Sequence, residues 1–111
     1  MITINSNSDL ATWITILHVH PEKDDELVDI LVRVTKSALE KALGFVSASI
    51  HVSRDGTRVL FYTQWQSRMT FDAMVQGASL VPYMQEALQI AEVDPNFYEV
   101  AAVFEARVES S

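Results

Sequence analysis

The stretch Thr57-Arg-Val-Leu-Phe-Tyr-Thr-Gln-Trp65 constrains the fold of this chain more than any other. It alternates β-branched and aromatic residues with polar ones, and the turn signal Ser53-Arg-Asp-Gly56 precedes it, so it reads as the second arm of a hairpin. The first arm runs from Phe45 to Ser53. Successive strand side chains point to opposite faces, which puts Val59, Phe61, Thr63 and Trp65 on one side and Arg58, Leu60, Tyr62 and Gln64 on the other. A face of Val, Phe, Thr and Trp is either solid core or the floor of an apolar pocket, and the rest of the chain has to decide between them.

Ala11 to Val19 has the pattern of an earlier strand, with Trp13, Thr15, Leu17 and Val19 on one face and Thr12, Ile14, Ile16 and His18 on the other. His20-Pro21-Glu22 is expected to open a helix running to about Leu43, with Pro21 in the first turn, acidic residues crowding that turn, and Gly44 as the stop. Its buried stripe is Leu27, Leu31, Val34, Ala38 and Ala42. After the hairpin, Ser67 caps a short helix to about Val75 with Phe71 and Met74 inward, and Pro82 to Ala91 forms another with Met84, Leu88 and Ala91 on one side. Asp94-Pro95-Asn96 is expected to be a turn, and Tyr98 to Ala106 the last strand.

The order strand, helix, strand, strand, helices, strand is the split β-α-β arrangement of an α+β, ferredoxin-like fold: a four-stranded antiparallel sheet with helices on one face. One domain is expected over 11–107, between an N-terminal arm (1–10) and a C-terminal tail (108–111). The uncovered sheet face carries apolar residues from the first and last strands, which predicts a homodimer with two sheets packed face to face.

Composition narrows the partners. Eight Lys plus Arg against 15 Asp plus Glu give a net charge of −7, so a phosphate backbone is repelled and nucleic acid is not an expected partner. No cysteine is present for a disulfide, a thiolate metal site or a nucleophile. No apolar run is long enough to span a membrane and the start lacks signal-peptide character, which reads as a cytoplasmic protein. Three glycines leave no phosphate loop or dinucleotide fingerprint, and the three histidines lack metal-ligand spacing.

Several local motifs then converge. Gly44-Phe-Val-Ser-Ala-Ser-Ile-His51, Ser53-Arg-Asp-Gly-Thr57, Tyr62-Thr-Gln-Trp65 with Ser67, Phe71-Asp-Ala-Met74 and Asp94-Pro-Asn-Phe-Tyr-Glu-Val100, in this order, resemble the antibiotic biosynthesis monooxygenase family. The resemblance implies a dimeric α+β barrel with a small-molecule pocket between sheet and helices in each subunit. It also implies oxygenase chemistry without a cofactor, in which an anthrone-like polyketide intermediate becomes a quinone using O₂ alone. Family members of this kind mark the pocket with two Asn residues, a Trp and often a His; the matching positions here hold Thr15, Phe61, Trp65 and Tyr83. Only the Trp is kept. A heme-degrading relative would need an Asn and an axial His that this chain lacks.

On that comparison Trp65 and Tyr83 are the candidate catalytic residues, Trp65 as a flat wall for an aromatic ligand and Tyr83 as a hydrogen-bond donor to a substrate oxygen. Trp13, Thr15, Leu17, Phe61, Thr63 and Met84 are the candidate substrate-binding residues, and no metal ligand is expected. The plain alternatives are a packed core Trp, a surface Tyr and a Thr that serves only as a good strand former. His20 is read as solvated at the strand-helix turn, and His18 and His51 as hydrogen-bonded or interfacial rather than catalytic. Beside the monooxygenase stand a non-oxidative cyclase, isomerase or decarboxylase of the same fold and a non-catalytic barrel that binds a hydrophobic ligand.

Overall fold

The computed structural model describes residues 10–107, so the expected arm (except Leu10) and tail lie outside the described residues. Four strands, β1 (Ala11–Val19), β2 (Phe45–Val52), β3 (Arg58–Trp65) and β4 (Ala91–Tyr98), form one sheet in the order β2-β3-β1-β4. Every neighbouring pair is antiparallel. Helices α1 (Asp24–Val34), α2 (Arg68–Gln76) and α3 (Val81–Ile90) complete the ferredoxin-like α+β fold expected from the order of elements.

The central hairpin forms as its alternation requires. Val59, Phe61, Thr63 and Trp65 are all buried on the helix side of β3. Their cross-strand partners share that side: Leu17, Thr15, Trp13 and Ala11 on β1, and Val52, Ile50, Ala48 and Phe45 on β2. The Ser53 amide donates to the Arg58 carbonyl at 2.9 Å across the turn, where Gly56 takes a φ of +71°.

The first helix is shorter than expected. Glu22 lies at φ +66°, which no helix accommodates, so Pro21 and Glu22 belong to a turn and α1 starts at Asp24. Asp24, Asp25 and Glu26 then occupy its first turn, where the helix dipole favours negative charge. At its other end the helix widens into a π-turn over Thr35–Leu39, with the Thr35 hydroxyl donating back to the Leu31 carbonyl at 2.7 Å. The extra residue advances the buried stripe by one position, so Leu39 rather than Ala38 is fully buried beneath Leu27, Ile30, Leu31 and Val34. Gly44 does not stop the helix directly. It sits in the following turn at φ +85°, where a Cβ would run into the Thr70 side chain at the start of α2.

Ser67 caps α2 as expected: its Oγ accepts from the Thr70 amide at 3.2 Å and the Thr70 hydroxyl accepts from the Ser67 amide at 3.3 Å. On α3 the buried residue is Ala87, while Met84 and Leu88 stand at the rim rather than in the core.

The largest correction concerns the last strand. Asp94-Pro95-Asn96 is not a turn but the middle of β4, which follows α3 without a loop and ends at Tyr98. An edge strand tolerates Pro because its outer N–H needs no ladder partner. Pairing with β1 keeps Val93, Pro95 and Phe97 beside Leu17, Thr15 and Trp13, so the alternation survives the proline. Of the strand expected over Tyr98–Ala106 only Tyr98 belongs to β4, and residues 99–107 have no regular structure here. With this register the outer face of β4 is polar up to Tyr98 (Glu92, Asp94, Asn96), and the apolar and aromatic residues of the uncovered face are Ile14 and Ile16 of β1, Leu60 and Tyr62 of β3 and Tyr98 of β4.

Candidate functional site

Between the inner sheet face and the helices lies a nearly apolar cavity of about 250 Å³, open to solvent on one side. Alternation on two adjacent strands makes its floor: Trp13, Thr15 and Leu17 from β1, and Phe61, Thr63 and Trp65 from β3. Tyr83 and Met84, from the first turn of α3, close it from above. All the candidate site residues named from the sequence therefore border one space.

Sequence reasoning missed other walls. Leu31 and Leu39 from α1 and its π-turn, Phe71 from α2, and Val93 and Pro95 from β4 also border the cavity. The helix stripe carried a signal for Leu31. Val93 and Pro95 were hidden by reading Asp94-Pro95-Asn96 as a turn. The exposed apolar side chains of Val75, Met84 and Leu88 rim the opening, where a solvent-facing helix surface would ordinarily carry polar residues.

The floor is locked by a short relay. The Trp65 indole N–H donates to Thr63 Oγ1 at 3.1 Å, and the Thr63 hydroxyl donates to the Trp13 carbonyl at 3.1 Å. Trp65 is 0% exposed, held edge-on between Phe45 (5.4 Å) and Phe71 (5.5 Å). It is thus a rigid backing to the cavity, and Trp13 is the more accessible indole, tilted on Phe71 at 4.5 Å and edge-on to Phe97 at 4.7 Å. Such pairs add about 0.5–1.5 kcal/mol each beyond the area they bury.

The polar side-chain groups of this lining are the indole N–H groups of Trp13 and Trp65 and the hydroxyls of Thr15, Thr63 and Tyr83. That of Thr63 is spent in the relay, whereas those of Thr15 and Tyr83 make no hydrogen bond to any described residue. No carboxylate, imidazole or amine borders the cavity among the described residues. A charged cluster sits outside it, where Arg33 of α1 bonds Glu86 of α3 at 2.8 Å and Asp29 at 3.0 Å, with its guanidinium 6.0 Å from the Tyr83 ring centre. Glu86 and then Asp29 hold that guanidinium in its charged form, raising its pKa above the ordinary value. His18, His20 and His51 are exposed and away from the cavity, and His51 shares a 2.9 Å hydrogen bond with Ser49. Among the described residues no group of His, Cys, Asp or Glu side chains is arranged to hold a metal ion.

The arrangement can take up a flat apolar molecule, exclude water from it and offer neutral hydrogen-bond donors to its oxygens. Comparison with known proteins points the same way. The chain is 41% identical over 106 residues to the tetracenomycin-F1 monooxygenase of Streptomyces glaucescens, covering 96% of this chain and 95% of that one. Among solved structures it matches SnoaB, a cofactor-independent oxygenase from Streptomyces nogalater, with a TM-score of 0.77 at 15% identity over 89% of this chain and 100% of that one. It also matches a putative antibiotic biosynthesis monooxygenase from Nitrosomonas europaea, with a TM-score of 0.74 at 14% identity over 90% and 96% of the two chains. At such identities these two show the shared fold. The family model for antibiotic biosynthesis monooxygenase matches residues 12–88, and with that match spanning three of the four strands, α1, α2 and most of α3, the chain belongs to the antibiotic biosynthesis monooxygenase family.

Proposed function

We propose that this protein is a cofactor-independent monooxygenase that oxidises a polycyclic aromatic or phenolic, polyketide-like intermediate with O₂. The observation that carries the reading is the pair of hydroxyls, Thr15 and Tyr83, that border one nearly apolar cavity and bond to no described residue. The relative that is 41% identical along nearly its whole length supports the reaction class.

A methylene between aromatic rings and opposite a ring carbonyl is acidic, because its anion is an extended phenolate. That anion passes an electron to O₂, the carbon–oxygen bond forms, and protonation gives a hydroperoxide. Loss of water across the C–H and O–O bonds leaves the quinone carbonyl. One oxygen atom enters the product and the other leaves as water, and all four electrons come from the substrate, so the balance closes with substrate and O₂.

In this scheme Tyr83 donates a hydrogen bond to the substrate oxygen that gathers negative charge, and Thr15 fixes the ring from the floor. Trp13, Leu17, Phe61 and Met84 hold the rings, with Trp65 and Thr63 as the rigid backing. With no ionised base on the cavity wall among the described residues, the carbon proton leaves through the substrate's own acidity, which apolar surroundings and one donor at the oxygen tune. A cavity of about 250 Å³ lies just below the usual range of about 300–1,000 Å³, so a substrate with several fused rings leaves its outer part between Val75, Met84 and Leu88.

The protein is proposed to act in the cytoplasm as a homodimer whose uncovered sheet faces, bearing Ile14, Ile16, Leu60 and Tyr62, pack together. Among the described residues no helix is long and apolar enough to cross a membrane. Oxygen uptake with an anthrone such as dithranol tests the activity: one O₂ is consumed per quinone formed, above a buffer control. Absence of uptake with folded protein overturns the reading, and turnover of the same compound without O₂ would replace it with a non-oxidative reaction.

A further inference from the structure

The cavity has two chemically different ends. Register lays its floor out in rows: Trp13 with Thr63, Thr15 with Phe61 and Pro95, and Leu17 with Val59 and Val93. Rows on one face lie two residues apart, about 7 Å, so Trp13 and Leu17 are about 13 Å apart along β1.

The helices divide in the same way. α3 runs into β4 at Ala91, which pairs with Val19, so Ala87 lies towards the Leu17 row and Tyr83, one turn earlier, towards the Thr15 row. α1 begins at Asp24, against Gly56 in the hairpin turn just beyond that row, and runs the other way. Ile30 and Leu31 therefore lie towards Leu17, and Leu39, farther along, towards Trp65.

Around the Leu17 row every lining side chain among the described residues is aliphatic: Leu17, Ile30, Leu31, Ala87, Leu88 and Val93. Leu17 and Ile30 are each only 2% exposed, and Ala87 has the smallest side chain in the whole lining. The opposite end has the rings of Trp13, Trp65 and Phe71, and the hydroxyls of Thr15 and Tyr83 lie between the two.

Each end suits a different reactant. Flat aromatic rings gain from offset and edge-on contact with Trp13 and Phe71, and the hydroxyls beside that end can reach their oxygens. The aliphatic end offers a water molecule no side-chain hydrogen bond, so a water there gives up its partners and the space stays dry. A small apolar gas gives up nothing on entering. Dry apolar cavities take up xenon for the same reason.

We propose that the aliphatic end of the cavity, at Leu17, Ile30 and Ala87, is a dioxygen site that holds O₂ beside a substrate whose rings occupy the aromatic end. This rests on the oxygenase reading above and adds the place of its second reactant. The two reactants then meet across about one row of the floor, about 7 Å, with Leu17 where the ring edge and the gas adjoin. No side chain bonds the gas, so the site acts by raising its local concentration and fixing its direction of approach.

The site can be read without turnover. In methyl-labelled protein under oxygen pressure, paramagnetic O₂ is expected to broaden the methyl lines of Leu17, Ile30 and Leu31 more than those of Leu39, which is as deeply buried at the other end of the same cavity. Equal broadening at both ends, or none, overturns the site whether or not the protein is an oxygenase. A second measurement fills the space. Ala87→Leu, outside the residues proposed to hold the rings, is expected to raise the KM for O₂ about tenfold while the KM for dithranol stays within about twofold. An equal rise in both, or no change in either, from a variant with a native methyl spectrum overturns the site; should Ala87→Leu not fold, Ala87→Val makes the same test with a smaller rise. Absence of oxygen uptake by the unmodified protein overturns the oxygenase reading alone, since the methyl lines still decide whether gas collects at Leu17.

Discussion

The Trp65 indole N–H donates to Thr63 Oγ1 at 3.1 Å, two residues earlier on the same face of β3. Since the Thr63 hydroxyl passes its own proton to the Trp13 carbonyl, the polar edge of the buried indole is turned into the sheet and away from the cavity. A Trp so placed shapes the site without binding an oxygen of the guest. The work of orienting a substrate falls to the hydroxyls left unengaged.

Removing the acceptor tests the relay. Thr63→Val keeps the shape of the side chain but leaves an indole N–H unsatisfied where no water reaches it, since Trp65 has no exposed surface. The expected cost is about 1–3 kcal/mol of folding stability. Denaturant unfolding reads the loss, and the indole ¹H–¹⁵N resonance of Trp65 is expected to move and to exchange faster with solvent. An unchanged midpoint together with an unmoved resonance would show that the hydrogen bond contributes nothing.

Tyr83 answers a different question. It borders the cavity and its hydroxyl bonds to no described residue, so Tyr83→Phe leaves the fold within about 0.5 kcal/mol. If the phenol stabilises charge that develops on a substrate oxygen, kcat falls by about 10²–10³ with little change in KM. A rise in KM alone would assign Tyr83 to binding the ground state, and no effect on either would move the donor role to Thr15.

Gly44 makes a packing prediction. Its φ of +85° disfavours any residue with a Cβ, and that Cβ would also collide with Thr70 in the capped first turn of α2. Gly44→Ala is therefore expected to destabilise the protein by about 1–3 kcal/mol, more than the conformational penalty alone. Pairing it with Thr70→Ser, which removes one of the obstructing atoms, should recover part of the loss; strict additivity in a double-mutant cycle would rule out the collision.

Much of the fold was legible because period and punctuation agreed. The bounds of β1, the hairpin and the Ser67 cap follow from alternation, Asp-Gly turn chemistry and a hydroxyl before an amphipathic run. The failures came where tertiary context overrode a local signal. Asp94-Pro95-Asn96 has turn chemistry, yet β1 offers it a register in which Pro95 faces the core and the missing N–H lies along an open edge. The cavity floor was readable since it depends only on strand parity, which a register on one strand fixes for its neighbours. Engagement of the Thr63 hydroxyl, and freedom of those of Thr15 and Tyr83, was not readable, because it depends on rotamers and distances that no spacing rule encodes.

The hairpin turn carries the pH dependence. The Asp55 carboxylate accepts from the Thr57 hydroxyl at 2.7 Å, the Ser53 hydroxyl at 2.7 Å and the Thr57 amide at 3.1 Å. The Thr57 side chain first, then Ser53 and the Thr57 backbone, hold its pKa down at about 2 from the ordinary 3.8. A group whose folded pKa is depressed stabilises the fold fully above its unfolded pKa and loses that contribution as pH falls through the folded value. The loss therefore begins near 3.8 and is complete below about 2. Asp55→Asn keeps the acceptor oxygen but abolishes the titration. At neutral pH the unmodified protein is expected to be the more stable of the two, and the difference should shrink through that window. Denaturation midpoints of both proteins from pH 7 down to pH 2 provide the measurement. A difference that persists undiminished at the acid end would show that the turn depends on the shape of the side chain and not on its charge.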